Sequence, residues 1–312
     1  MKKLILFLTI IILSNSISFC QTKEDLYQKA SDAYDQKNYN KALSNINNAL
    51  DLDPNNLEYL FLKGNTLEKS EKYEEAYDIY SQAIKLYPKD SKSYNQRGLL
   101  LQKIQETEFS IRDFTSALSF EKQDSIKLTL YVNRGASKIN IRDFQGAYDD
   151  FISAYHIDSL NIGVLNNLAS VCDEVGKGDK TLEYLKKILT IDSTFIGSYV
   201  NIGFKYQEMG DYKTAISYFD KAILLDPKEA LSYSNKAFNE YKLGDFKNAL
   251  SDINRSIKLY PANSYAYRNR ALIYIAKNEI QKACDDITKA TELGFSKMYG
   301  DEVDSLKTKF CH

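Results

Sequence analysis

The chain has 312 residues, 44% of them hydrophobic and 27% charged, too much charge for a multi-span membrane protein. Basic and acidic side chains nearly cancel, 41 against 42, so overall charge recruits neither nucleic acid nor an anionic membrane. Two histidines leave few candidates for acid–base work near neutrality, and 13 glycines with four prolines argue against a turn-rich all-β fold.

Residues 1–20 have the layout of a signal peptide. Lys2 and Lys3 precede Leu4 to Leu13, an apolar run with Thr9 its only polar member, and Ser18 and Cys20 are small residues where a signal peptidase reads. A membrane span needs about 20 apolar residues, so this run predicts cleavage before Gln21 and a periplasmic or secreted mature chain. The alternative is acylation of Cys20 and a lipid anchor, which Phe19 disfavours because a small residue is needed before the cysteine. Beyond residue 20 the cysteines are Cys172, Cys284 and Cys311, with no metal-ligand spacing among them. An oxidising compartment allows one disulfide and leaves at least one thiol over.

From Lys23 onward the sequence repeats every 34 residues. The blocks are 23–56, 57–90, 91–124, 128–161, 162–195, 196–229, 230–263 and 264–295, with three extra residues, Ser125 to Lys127, between the third and fourth. Position 8 is Ala30, Gly64, Gly98, Gly135, Ala169, Gly203, Ala237 and Ala271. Positions 20 and 27 are also mostly alanine, position 24 is always large, and Pro54, Pro88, Pro227 and Pro261 all fall at position 32. Apolar residues three and four apart mark one helix in the first half of each block. A turn follows near position 15, where Gly176, Gly210 and Gly244 stand, and a second helix carries positions 20, 24 and 27. Small residues let the backbones approach, the large residue fills the space between them, and proline stops the second helix. A single pair cannot bury its apolar faces, so the pairs must stack.

This pattern resembles the tetratricopeptide repeat (TPR) family, and the sixth block matches it throughout with Tyr199, Gly203, Tyr206, Ala215, Phe219, Ala222 and Pro227. The resemblance covers residues 23–295 and implies an all-α fold, a right-handed α-solenoid of about eight TPR helix pairs with a C-terminal capping helix over residues 296–312. The fifth block is the weakest, with Thr181, Ile188 and no proline, so the middle of the chain is expected to pack least regularly. Val303, Leu306 and Phe310 lie at helical spacing in a one-sided helix, Lys297 to Phe310, suited to cover the last pair. The ending also resembles that of exported bacterial TPR proteins in which two cysteines tie the cap down, which implies a Cys284–Cys311 disulfide; two unpaired thiols remain the alternative.

Signal, repeats and cap leave no segment for a catalytic domain, and the chain lacks phosphate-loop, H-E-x-x-H, EF-hand and G-x-S-x-G motifs. His156 reads as a surface or packing residue and His312 ends the chain. No enzyme activity, cofactor, metal or nucleic-acid partner is expected, nor a transmembrane span in the mature chain. In the TPR family positions 2, 5, 6 and 9 of the first helices face a ligand. Position 6 is Asn133, Asn167, Asn201, Asn235 and Asn269 in five successive blocks. Each amide offers a donor and an acceptor, either to a peptide backbone or to a neighbouring helix. Phe204 and Phe238 at position 9, with Tyr265 and Arg268 at positions 2 and 5 of the last block, add hot-spot residue types. The family's clamp for carboxyl-terminal peptides needs lysines and an arginine where blocks two to four carry Phe61, Asn65, Gln96, Thr129 and Asn133. The leading expectation is a scaffold for a protein or peptide in the concave groove. Its rivals are a structural subunit of an envelope assembly docked by its outer face, and a binder of a glycan or other small ligand.

Overall fold

The computed structural model describes residues 22–311; the expected signal segment with Cys20, and His312, lie outside the described residues. All regular elements among these residues are α-helices, eighteen in number. They form two compact units, divided between Asp158 and Ser159. The first unit holds four antiparallel pairs: α1 (Lys23–Asp35) with α2 (Tyr39–Leu52), α3 (Leu57–Lys69) with α4 (Tyr73–Leu86), α5 (Ser91–Lys103) with α6 (Thr107–Phe120), and α7 (Asp124–Asn140) with α8 (Phe144–Ile157). The second holds four more: α9 (Ile162–Val171) with α10 (Gly178–Ile191), α11 (Ile196–Glu208) with α12 (Tyr212–Leu225), α13 (Ala230–Lys242) with α14 (Phe246–Leu259), and α15 (Ser264–Ala276) with α16 (Ile280–Glu292). Two short helices, α17 (Phe295–Tyr299) and α18 (Glu302–Phe310), complete the second unit.

The three extra residues before the fourth block do not form a loop. They continue α7 toward its N-terminus and give it 17 residues, the longest of the first helices. Irregularity appears instead in the fifth block, where α9 has only 10 residues and ends beside the buried Cys172. The expected single capping helix is two helices, because the backbone turns at Gly300 in a left-handed conformation with φ 91°. Phe295 and Val303 of these two helices are buried against Ala283, Ile287 and Ala290 of α16, so the last pair is covered.

Every turn within a pair uses one geometry. Position 15 has positive φ in all eight blocks, at Lys37, Glu71, Gln105, Arg142, Gly176, Gly210, Gly244 and Asn278. The next residue's N–H then reaches back to a carbonyl in the last turn of the helix, as from Lys72 to Leu67 (2.9 Å) and from Asp211 to Tyr206 (2.9 Å). That bond closes a carbonyl the helix leaves open, and the gain is enough for five non-glycine residues to adopt the left-handed region.

Within each pair, position 8 meets position 24. A Cβ placed on Gly64, Gly98, Gly135 or Gly203 would lie 2.4–2.9 Å from the ring of Tyr80, Phe114, Phe151 or Phe219 respectively. These four aromatic side chains are fully buried, so they cannot swing out of the way. In the other four blocks alanine stands at position 8, and position 24 is then Ile46, Leu185, Ile253 or Ile287. Glycine goes with a ring, and alanine with an aliphatic side chain.

A second contact repeats alongside it. Arg97, Arg134 and Arg270, all at position 7, each grip with Nε and Nη2 the carboxylate of Asp113, Asp150 or Asp286, sixteen residues on in the second helix. Their Nη1 atoms donate to Ser81, Thr115 and Asn254 on the second helix of the preceding pair. Lys236 does the same in the seventh block, at 3.0 Å from Asp252 and 2.9 Å from Asp220. One cation thus ties a pair together and ties it to its predecessor. Beside Lys236 lies Glu240, buried, with Oε2 lacking a hydrogen-bond partner. Burial pushes its carboxyl up to about 7, with the negative charges of Asp252, Asp245 and Asp220 adding to the shift and Lys236 opposing it.

Gly203→Ala should destabilise by about 1–3 kcal/mol through overpacking, and adding Phe219→Ile should recover part of that loss. A double-mutant cycle of urea midpoints measures the coupling, and additive losses would mean that the two positions do not compete for space. Glu240 keeps its proton to a higher pH in the folded chain than in the unfolded one, so its contribution to stability falls as pH rises from about 4.5 through about 7. Glu240→Gln should therefore match the parent at pH 5 and exceed it at pH 8 by on the order of 2–3 kcal/mol, read from melting at both pH values.

Candidate functional site

The first helices of the second unit lie side by side, α11 against α13 and α13 against α15. Small residues at position 8 let each of these helices close on its own pair partner, and Gly203, Ala237 and Ala271 are fully covered there. The face these helices share carries four of the five asparagines at position 6, and they differ in exposure. Asn201 is exposed, Asn167 half-buried, and Asn235 and Asn269 buried. The fifth, Asn133, is half-buried on α7 in the first unit.

Asn201 and Phe204 sit one turn apart on α11, so their side chains share one side of that helix. With Ala169, Ser170 and Asp173 from the α9 end and Lys205 and Glu208 from α11, they line a cavity of about 280 Å³ floored by Thr181 and Leu185. Its charges are internally matched, since Lys205 Nζ lies 2.6 Å from Asp173 and 3.1 Å from Glu208. Phe204 also forms a wall of a second cavity, about 360 Å³, with Val200, Leu231, Asn235, Asn263, Tyr265 and Tyr299. Phe204 stands edge-on to the buried Phe219, ring centroids 6.1 Å apart, which fixes its orientation between the two cavities.

Two residues expected to face a ligand are engaged by the protein itself. Arg268 is only 11% exposed and binds both carboxylate oxygens of Glu302 on α18, at 2.5 and 2.6 Å from Nη2. Its guanidinium also covers the Phe238 ring at 5.4 Å and donates to Asn269 Oδ1 at 2.7 Å. Asn269 is 1% exposed and points its amide nitrogen at Ser234, 3.3 Å from both the carbonyl and the hydroxyl oxygen. Different neighbours are responsible: α18 of the cap brings Glu302 against Arg268, whereas Asn269 is closed by the preceding pair through Ser234 of α13 and by Arg268 itself. Tyr265 shares this fate in part: its ring stacks on Phe295 and contacts Tyr299, yet it still lines the second cavity. Burial pushes its phenol above the ordinary value.

The cap is covalently tied. Cys284 of α16 and Cys311 are joined by a disulfide, Cα atoms 5.6 Å apart, across 27 residues. Cys172 is unpaired and buried, and burial, ahead of the charges of Asp173 and Asp179, pushes its thiol up to about 11, which keeps it unreactive. His156 is exposed near the end of α8.

Val200 and Leu231 were legible from the family's rule, because they hold positions 5 and 2 of their blocks. Asn263 carries a different signal. It precedes α15 and accepts the N–H groups of Tyr265 and Ala266, the helix-capping role that asparagine or aspartate also fills at Asn56, Asp90 and Asn161. Asn239 is also buried, and donates to Gln207 Oε1 on α11 at 2.6 Å. Tyr299 had no sequence signal, since the period ends before it.

Comparison with known proteins agrees with this architecture. Family models described as tetratricopeptide repeat match residues 27–91, 197–229 and 235–293. Among curated proteins, the DnaJ homolog subfamily C member 7 homolog of Dictyostelium discoideum is 25% identical over 161 residues, 46% of this chain and 29% of its own length. The Hsp70-Hsp90 organizing protein 2 of Arabidopsis thaliana is 27% identical over 128 residues, 40% of this chain and 22% of its own length. The chain therefore spans less than a third of these relatives. Among solved structures, the C-terminal part of a TPR repeat-containing protein from Cytophaga hutchinsonii has a TM-score of 0.61 at 16% identity, covering 80% of this chain and 99% of that one. At that identity the likeness is one of fold.

Removing the Cys284–Cys311 bond should cost about 2–4 kcal/mol of stability. Cys311→Ser should also speed hydrogen exchange in α17 and α18 well before it does so in α11, and equal protection in both would show that the bond contributes nothing to holding the cap.

Proposed function

The chain belongs to the tetratricopeptide repeat family, and on that footing we propose that it is a non-enzymatic scaffold that holds a peptide segment of a partner protein. The segment lies on the face formed by the first helices of the second unit. The observation that carries this reading is the alignment, on one face, of Asn167 and Asn201 with two cavities on either side of Phe204. Amides that both donate and accept hold an extended backbone, and the cavities beside them, one polar and one apolar, take alternate side chains. Stacked helices fixed by buried contacts lose little conformational freedom on binding.

One curated relative is named for organizing Hsp70 and Hsp90, and only the general property of protein binding is extended to this chain. A clamp for chaperone tails is not part of the proposal, since Phe61, where that clamp needs a cation, is instead covered by Lys92 at 4.3 Å. The proposal includes export. Its support is the charged start, apolar run and small residues of residues 1–20, together with a bond between Cys284 and Cys311 that an oxidising compartment would preserve.

In-cell crosslinking and capture, with partners identified by mass spectrometry, tests the reading. The parent should retain a protein that the Asn167→Ala/Asn201→Ala variant, equally folded by circular dichroism, captures at least tenfold less. Equal capture by both would move the function to the second helices or the ends, and the structural-subunit reading would replace this one.

A further inference from the structure

The second cavity has a composition that selects among ligands. Val200, Leu231 and Phe204 give it aliphatic and aromatic walls, and Tyr265 with Tyr299 makes a corner of two rings 5.6 Å apart. No free charge borders it from α15, because Arg268 is closed by Glu302. At the edge of this apolar space stands Asn263, 6% exposed. Its amide orientation is fixed, because Oδ1 must accept the N–H groups of Tyr265 and Ala266 at 3.1 and 3.3 Å. The nitrogen is therefore turned away from the helix, and it has no acceptor. A buried donor left in that state is costly, and a ligand recovers the cost by supplying one acceptor.

We propose that this cavity is an anchor site for one aromatic or large aliphatic side chain of a partner peptide, with a carbonyl of that peptide accepting from Asn263 Nδ2. The inference rests on the peptide-holding reading above and specifies its chemistry. A volume of about 360 Å³ lies near the lower end of ligand pockets, sized for one side chain and its adjoining backbone. Apolar walls favour an apolar group, and an acidic or basic side chain would lose its hydration there with no counter-charge. A sugar ring would bring several hydroxyls to a lining that offers few polar partners. One apolar side chain fills the walls, and the adjoining peptide backbone brings a carbonyl to Asn263 with its other polar groups near Asn235.

The site is also particular to the end of this chain. Tyr299 belongs to α17, and the disulfide from Cys284 to Cys311 holds the covering helices in place. Peptide recognition on the other first helices has no such closing wall.

Panning a random heptapeptide library on the purified protein tests the proposal, followed by titration of the enriched peptides against variants. Asn263→Asp keeps the oxygen that caps α15 and removes the donor, and Val200→Trp fills the cavity from α11. Enriched peptides should share an aromatic or large aliphatic residue at one position, and both variants should weaken them at least tenfold while melting within a few degrees of the parent. If Val200→Trp does not fold, Asn263→Asp alone carries the test. Peptides that bind both variants as well as the parent, yet are lost on Asn167→Ala/Asn201→Ala, would overturn the anchor site and leave the peptide-holding reading standing. Enrichment of charged residues at that position would also overturn it. No enrichment at all would overturn both readings. A panel of cello- and xylo-oligosaccharides is titrated in parallel, and sugar binding that Val200→Trp abolishes would reassign the cavity to a glycan.

Discussion

The separation of the two helices in each pair is set by a single contact, between the residue at position 8 of the first helix and the side chain at position 24 of the second. Where a ring occupies position 24, as at Tyr80, Phe114, Phe151 and Phe219, only glycine leaves room for it. Where the side chain is aliphatic, alanine supplies the missing volume. Total volume at the contact is conserved while its division between the two residues varies, which is how close-packed interiors tolerate substitution. All eight pairs can therefore share one geometry without sharing one sequence.

That geometry fixes what else the pair can do. With the helices at close range, a guanidinium at position 7 reaches a carboxylate at position 23 of its own pair and a polar group on the preceding pair. These cations are about four-fifths buried and their carboxylates more so, so the pairing is needed chiefly to offset the desolvation of both groups. It also fixes the register of one pair on the next. In the seventh block lysine replaces arginine, a point charge shared among Asp220, Asp252 and Glu240. That arrangement leaves Glu240 with too little positive charge to hold its ionised form, and its carboxyl is the exception to an otherwise balanced row.

The ligand-facing side obeys a different logic. Residues at positions 2, 5, 6 and 9 do not determine how the helices pack, so their fate depends on what lies beside them. In the interior of the second unit, Asn201 and Phe204 remain available and border two cavities. At the end, Arg268 and Asn269 are engaged by Glu302 and Ser234, and the covering helices contribute Tyr299 to the wall of the remaining space. The same two helices that cover the last pair thus contribute a wall that interior pairs lack.

The period, the helix pairs, the turns near position 15 and the small-against-large packing are all legible in the amino-acid sequence. Each of these depends on residues at fixed short offsets along the chain, and a 34-residue repeat displays those offsets eight times. The glycine-to-ring correspondence was also present, as a co-occurrence sixteen residues apart, and the ion pairs lie at the same spacing. Tertiary structure alone decided which asparagines of the row are open and which are bonded, as in the contact of Asn269 with Ser234 across 35 residues. It alone split the cap at Gly300 and set Tyr299 beside Tyr265. Periodic packing is written in every block, whereas the exposure of a side chain depends on neighbours from other blocks, and at the chain's end those neighbours follow no period.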